Sequence, residues 1–313
     1  MVFSLYSLRF SFIAREPVVF PAGKSSNILR GAFGTIFRRI ACVPECSNAR
    51  DCQRRAGCPY AQIFEPSAAG ERPSGLADSP RPFVFRAMHL DGRQVEAGKR
   101  FHFDLNLFDA NSTAIAYLVL AFAQLAREGL GPSRGRVELV EVGQLDGRRS
   151  PGSCIYDGHS LRQPVEPLSI DLAAAEQARR VRVQFVTPTE LKSGHEVVAR
   201  PEFGIVAARI RDRVSALREL YGAGPLEIDF RGFGERAGRV RMTRCELQRV
   251  DVMRRSSRTG QRHGIGGFVG EAEYEGELSE FVPYLRAAEW TGVGRHTVWG
   301  KGEIRVGATN EHE

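Results

Sequence analysis

Twice along its 313 residues this chain runs through the same order of apolar periods, and that repetition limits its fold more than any single motif does. Residues 3–13 alternate apolar and polar side chains, the period of a strand. Ser25, Ser26 and Asn27 are then N-cap residues for a helix to about Ala41, in which Leu29, Ala32, Phe33, Ile36, Phe37 and Ile40 share one arc. Arg30, Gly31, Gly34, Thr35, Arg38 and Arg39 occupy the opposite arc, which reads as open and basic. Residues 83–90 and 100–108 read as a strand pair around Asp91-Gly92, a helix capped by Asn111 runs to about Arg127, and residues 136–142 are a strand. The order is β-α-β-β-α-β.

The same order returns further on. Residues 180–187 are a strand, 201–221 a helix stopped by Gly222, 239–254 and 267–274 two strands, 278–289 a helix and 302–306 a last strand. The predicted fold class is therefore α+β: two tandem ferredoxin-like (RRM-like, βαββαβ) modules, with a cysteine-rich insertion after the first helix. The first module spans 1–150, including the insertion and flexible stretch 42–82. A loop-like connector covers 151–179, the second module 180–306, and a disordered tail 307–313.

Charge narrows the partners. Lysine and arginine exceed aspartate and glutamate by seven, which points to a polyanion. Residues 231–262 carry ten arginines (231, 236, 239, 241, 244, 249, 254, 255, 258 and 262) against three acids, an excess equal to that of the whole chain. Arginine's planar fork suits phosphates and base edges. The alternative is a solvated basic surface. No run of about eighteen apolar residues suggests a membrane span. The first residues lack a basic segment before an apolar block, so no signal peptide is expected and the setting is read as cytoplasmic and reducing.

In that setting cysteines are thiols or metal ligands before they are disulfides. Cys42, Cys46, Cys52 and Cys58 follow the spacing C-x3-C-x5-C-x5-C, which can close a tetrahedral structural zinc site. An iron–sulfur cluster and four unligated thiols are the alternatives. Cys154 and Cys245 have no partner by spacing.

Near the C-terminus, residues 292–302 read Gly-Val-Gly-Arg-His-Thr-Val-Trp-Gly-Lys-Gly. Glycines let backbone amides approach an anion, and Arg295, His296 and Lys301 add cations. The loop follows a helix and leads into a strand, the reverse of a dinucleotide fingerprint.

These pieces, in order, resemble a known family. Residues 28–34 (Ile-Leu-Arg-Gly-Ala-Phe-Gly), 58–65 (Cys-Pro-Tyr-Ala-Gln-Ile-Phe-Glu), 101–108, 256–258 (Ser-Ser-Arg), 266–270 (Gly-Gly-Phe-Val-Gly) and above all 292–302 are similar to the CRISPR-associated RAMP endoribonucleases that process precursor CRISPR RNA. The resemblance implies metal-independent cleavage, with no cofactor for catalysis. A base takes the proton of a ribose 2′-OH, which attacks the adjacent phosphate, and an acid protonates the departing 5′ oxygen. The products are a 2′,3′-cyclic phosphate and a 5′-hydroxyl end. Its partners are CRISPR repeat RNA and other Cas effector subunits.

That chemistry needs proton shuttles and cations on the phosphorane. The candidate catalytic residues are His296, His263 and Lys24. The candidate RNA-binding residues are Arg30, Arg38, Arg254, Arg255, Arg258, Arg262, Gly292, Gly294, Arg295, Gly300, Lys301 and Gly302, and the candidate metal ligands are Cys42, Cys46, Cys52 and Cys58. For the histidines and Lys24 the alternative is a solvated surface group. His102 is out of phase with Phe101, Phe103, Leu105 and Leu107 and faces away from them, while His89, His159 and His195 lack a telling neighbourhood and His312 lies in the tail. Many members of the family place a histidine on or near the first helix; here Thr35 stands where one would be sought. That leaves a second reading, a non-catalytic RAMP subunit that holds guide RNA. A third, a metal-dependent enzyme built on the cysteines, lacks the mixed histidine and carboxylate ligands of a hydrolytic centre.

Overall fold

The computed structural model describes residues 1–43, 46, 52–66, 79–108, 113–162, 165–255 and 262–309. Among these, residues 4–168 form one compact unit, and residues 1–3 with 169–309 form the other.

In the first unit the strands are β1 (Val2–Ala14), β2 (Phe83–Arg86), β3 (Arg100–Phe108), β4 (Val137–Leu145) and β5 (Pro151–Tyr156), and the helices are α1 (Ser25–Ala41), α2 (Pro59–Ile63) and α3 (Thr113–Glu128). The strands lie in the order β2-β3-β1-β4-β5, each neighbour antiparallel. Alternation sends Leu8, Phe10 and Phe12 of β1 into the core, where Phe10 faces Phe103 across the ladder and Phe12 faces Phe101. Phe33 of α1 stacks on Phe122 of α3 at 5.3 Å between centroids, and Phe10 stacks on Phe103 at the same distance. Each such ring contributes about 1.5–3 kcal/mol by leaving water. The other sheet face is polar: Ser7 donates to Asn106 at 2.9 Å and Arg9 grips Asp104 through two bonds of 2.7 and 2.9 Å.

The second unit holds β6 (Arg180–Thr189), α4 (Phe203–Tyr221), α5 (Phe230–Ala237), β7 (Arg241–Val250), β8 (Met253–Arg255), β9 (Arg262–Gly264), β10 (Gly267–Glu275), α6 (Val282–Thr291) and β11 (Ile304–Thr309). Its main sheet runs β7-β10-β6-β11. Both sheets thus set the module's first strand between its third and fourth, with the second at the edge, so the βαββαβ unit occurs twice. Val181, Val183 and Phe185 of β6 and Phe203, Val206 and Ile210 of α4 are all buried; the Phe203 ring meets that of Tyr274 of β10 at 5.2 Å between centroids, and Tyr274 donates its hydroxyl to the carbonyl of Pro201 at 2.7 Å. Among the described residues no helix is long and apolar enough to cross a membrane.

Local differences from the sequence reading have physical causes. The start of α1 is not capped by its own Ser25, Ser26 or Asn27. Lys24 takes the N-cap position, and the Asp91 carboxylate accepts from both the amide and the hydroxyl of Ser25, at 2.9 and 2.5 Å. A carboxylate from a distant turn does the work a local cap would do, and complements the helix dipole as well. Asn111, the proposed cap of α3, lies outside the described residues. Residues 83–90 are not one strand: β2 ends at Arg86, a 3₁₀ turn covers Met88–Leu90, and Gln94–Val95 then pairs with Val18–Val19. The segment 151–179 is not plain loop, since β5 pairs with β4. The last strand runs on to Thr309, where Gly307, Ala308 and Thr309 pair with Arg182, Val181 and Arg180, so a tail beginning at 307 is corrected. Helix α5 was missed, although Asp229 caps it by accepting from the amides of Arg231 and Gly232.

The polar arc of α1 is only partly open. Gly31 has nothing near it, whereas a Cβ at Gly34 would enter the ring of Phe64, which follows α2. The insertion therefore packs onto α1 through a glycine. Two neighbouring substitutions should part in sign. Gly31→Ala should stabilise the protein by about 0.5–1 kcal/mol through helix propensity. Gly34→Ala should destabilise it by about 1–3 kcal/mol through overpacking. Urea unfolding of both variants checks this; equal effects would contradict the seat of Phe64.

Candidate functional site

Helix α6 ends at Gly292 and hands the chain to the glycine-rich loop. Gly292, Gly294, Gly300 and Gly302 have φ of 72°, 80°, 74° and 67°, the left-handed region that glycine enters freely. The loop needs them for close packing. A Cβ on Gly302 would strike the carbonyl of Val293, and one on Gly294 would strike that of Glu190. Val293 donates its amide to Gly302 at 2.8 Å, Arg295 to Glu190 at 3.0 Å, and Gly302 to Pro188 at 3.1 Å. The amides of Trp299 and Gly300 donate within the loop. So the loop is first a rigid clasp on the end of β6, rather than an open cradle of free amides. Lys301 is buried within it, which removes it as a surface cation. Its neighbour Arg295 is exposed and paired with Glu190 at 2.5 Å.

His296 is held hard. It sits at φ 65°, unusual for a residue with a side chain, and its ring stacks on Trp299 at 5.0 Å and 19°. The sequence put His296 in this loop; the stacking partner and the backbone conformation come from the fold.

Beside the loop, β8 and β9 form a hairpin in which Arg254 stands opposite His263 and Arg255 opposite Arg262. Arg258 lies outside the described residues, as does His312. The hairpin overhangs a cavity of about 570 Å³ whose lining includes Glu190, Leu247, Arg249, Met253, Gly264 and Phe268. Glu190 is thus shared: it lines this cavity and anchors the loop. Hairpin, cavity and loop form one continuous region of the second unit.

The arginine excess of 231–262 is smaller on the surface than in the sequence. Arg231 pairs with Glu235 at 2.9 Å, Arg236 with Glu280 at 2.6 Å, Arg241 with Glu275 at 3.6 Å, Arg244 with Glu246 at 2.8 Å and Arg249 with Asp251 at 3.3 Å. Acids beyond the window, on β10 and before α6, supply part of this pairing, which a local count could not see.

In the first unit the candidates scatter. Lys24 is exposed at the start of α1. The guanidinium of Arg30 lies over the Phe64 ring at 4.3 Å, and Arg38 donates to the carbonyl of Cys46 at 3.1 Å. Both therefore serve the insertion. Thr35 is exposed and donates back to Gly31. The four cysteines line one small cavity at the C-terminal end of α1. Among the described residues no group of three or more histidines, cysteines or carboxylates stands ready to hold a metal ion.

A histidine pair escaped the sequence reading. His89 and His102 stack at 4.6 Å, and His89 Nε2 lies 2.8 Å from the carbonyl of His102. His102 does leave the apolar face of β3, as its phase implied. Its pairing with His89 depends on the irregular 3₁₀ turn, which alternation could not reveal. Burial, then the charges of Arg9 and His89, push His102 below the usual imidazole range, against the pull of Asp104.

Residues 3–168 match a family model described as the AF_1859_N N-terminal domain, and residues 183–304 match that of the CRISPR-associated endoribonuclease Cas6. Two tandem ferredoxin-like modules carrying a glycine-rich clasp define a RAMP-type protein. The chain belongs to the CRISPR-associated RAMP family that includes the Cas6 endoribonucleases. Among solved structures, a product complex of the Thermus thermophilus Cas6 TTHB231 is 16% identical, covers 96% of this chain and 98% of its own, and gives a TM-score of 0.57. The Cas6 TTHA0078 product complex is 18% identical, covers 98% and 100%, and gives 0.51. A chain of a partial Cas6-RT-Cas1–Cas2 complex is 11% identical; the match covers 99% of this chain and 47% of that one, at 0.56. These likenesses show the shared fold. No curated protein matches the sequence.

The histidine pair gives a pH prediction. His102 binds its proton less readily folded than unfolded, so its contribution is intact above the unfolded value of about 6.5 and declines as the pH falls below it. Thermal midpoints taken from about pH 7.5 down to about pH 5 should fall, and His102→Gln should flatten the fall. An unchanged slope in the variant would contradict the pairing.

Proposed function

We propose that this protein cleaves CRISPR repeat RNA in precursor transcripts, using the ribose 2′-OH as nucleophile and no metal ion, to release guide RNAs ending in a 2′,3′-cyclic phosphate. The observation that carries the reading is the continuity of clasp, cavity and hairpin around Glu190, in a chain whose residues 183–304 match the model of the Cas6 endoribonucleases. His296, fixed by Trp299, and His263, on the hairpin, are the proton shuttles. A general acid and a general base each account for about 10²–10⁴-fold in rate. Arg254, Arg255, Arg258 and Arg262 hold the RNA backbone, with Arg295 contributing if an incoming phosphate displaces Glu190. Lys24, on the first unit, is proposed separately as a cation that contacts RNA. Glycines 292, 294, 300 and 302 act by giving the clasp its shape. Arg30, Arg38 and Lys301 are left to packing. The RNA is repeat RNA, and the protein partners are other Cas subunits, a reading supported by the presence of a Cas6 chain in a Cas6-RT-Cas1–Cas2 complex.

One observation favours a second reading, a RAMP subunit that binds guide RNA without cutting it: α1 presents exposed Thr35, and no histidine, on its open arc.

A repeat-containing RNA incubated with the protein in EDTA separates the two. We expect cleavage that a 2′-deoxy substitution at the cut site abolishes. His296→Asn keeps a residue that tolerates positive φ, and His263→Ala removes the other shuttle. Each should slow cleavage by about 10²-fold or more while leaving RNA binding within a few-fold. Tight binding with no cleavage would establish the second reading, and cleavage that needs added metal would overturn the mechanism.

A further inference from the structure

The cysteine cluster has no part in the proposed RNA chemistry, yet it is the most concentrated set of metal-seeking side chains in the protein. Four of the six cysteines fall within residues 42–58, and all four line one cavity of about 140 Å³. Two come from the ends of helices. Cys42 is the C-cap of α1, with its amide bound to the carbonyl of Arg38 at 2.9 Å, and Cys58 is the N-cap of α2, immediately before Pro59. Cys46 is fixed by its amide, which donates to Val43 at 3.1 Å. Contacts between the thiols join all four: Cys42 meets Cys46 and Cys58, and Cys46 meets Cys52.

Four sulfur groups gathered at one cavity are hard to explain as ordinary packing. Thiols are weak hydrogen-bond partners, and a chain of them stabilises little. They are, however, the preferred donors for a soft, tetrahedral dication at about 2.3 Å. Four thiolates around such an ion leave a net negative charge. The cavity has the cations to offset it, since Arg54 lines it and Arg38 reaches the carbonyl of Cys46.

We propose that Cys42, Cys46, Cys52 and Cys58 together bind one structural zinc ion that ties the insertion to the end of α1. The free thiols now hydrogen-bond to one another rather than aim at a common centre, and rotation about their Cα–Cβ bonds brings them to it. On binding, four thiols lose four protons to solvent and four sulfur–zinc bonds form, with no change of oxidation state. All four ligands are protein groups, so no position remains for a water or substrate and the ion takes no part in cleavage. Its consequence is mechanical. It holds α2, and with it Phe64, in the seat that Gly34 leaves open on α1, beneath Arg30.

The test is the metal content of the full chain, purified without chelator and measured by plasma mass spectrometry. We expect about one zinc per chain. Cobalt substitution should give the visible bands of tetrahedral cobalt together with a sulfur-to-cobalt charge-transfer band. Cys42→Ser and Cys58→Ser should each lose the metal and the spectrum, whereas Cys154→Ser and Cys245→Ser should keep both. Should the cluster variants fail to fold, the wild-type protein decides the matter. Stripping it with a strong chelator should lower its thermal midpoint, and zinc, but not magnesium, should restore it. Protein without zinc that gives no cobalt charge-transfer band would overturn the proposal. So would a non-reducing mass showing the four cysteines paired as disulfides, or iron in place of zinc.

Discussion

Backbone against backbone at the end of β6 is the contact on which the candidate site depends. Three glycines from two directions press on it: Gly294 on the carbonyl of Glu190, Gly267 on that of Thr189, and Gly302 through its amide on Pro188. Any side chain at these positions would drive loop or hairpin away from the strand. With glycine there, the loop bearing His296 and the start of β10, which follows the hairpin bearing His263, are both held against residues 188–190. Rigidity of this kind is what a proton shuttle requires, because transfer falls off steeply when a base is misplaced by about an ångström.

The paired periods in the sequence were enough for the architecture. Phe10, Phe12, Phe33, Phe103 and Phe122 are apolar at the spacings of strand and helix, and they meet in one core because those spacings leave few other arrangements. What local pattern could not show was anything decided by distant partners. The cap of α1 comes from Asp91, sixty-six residues away. The charge of the arginine-rich segment is met by Glu273, Glu275 and Glu280, outside any local window. His89 joins His102 only because the chain turns irregularly between β2 and β3.

The candidate site was legible in part for the same reason. Glycines in a loop announce unusual backbone, and His296 stands among them in the sequence. Whether those glycines served an anion or another strand depended on what lay opposite, and the carbonyls of Pro188, Glu190 and Val293 lie there. The open arc of α1 was overread likewise. Gly34 is there to admit Phe64, so part of the arc is interior. The insertion that brings Phe64 also brings the four cysteines, so the first helix is shaped by a segment that no helical pattern describes.

Ultraviolet cross-linking of a 2′-deoxy repeat RNA to the intact protein, with the modified peptides read by mass spectrometry, shows whether clasp and hairpin together hold the RNA. Cross-links should fall in both 292–302 and 253–266. Efficient cross-linking elsewhere in the chain, with both segments unmodified, would contradict that shared hold.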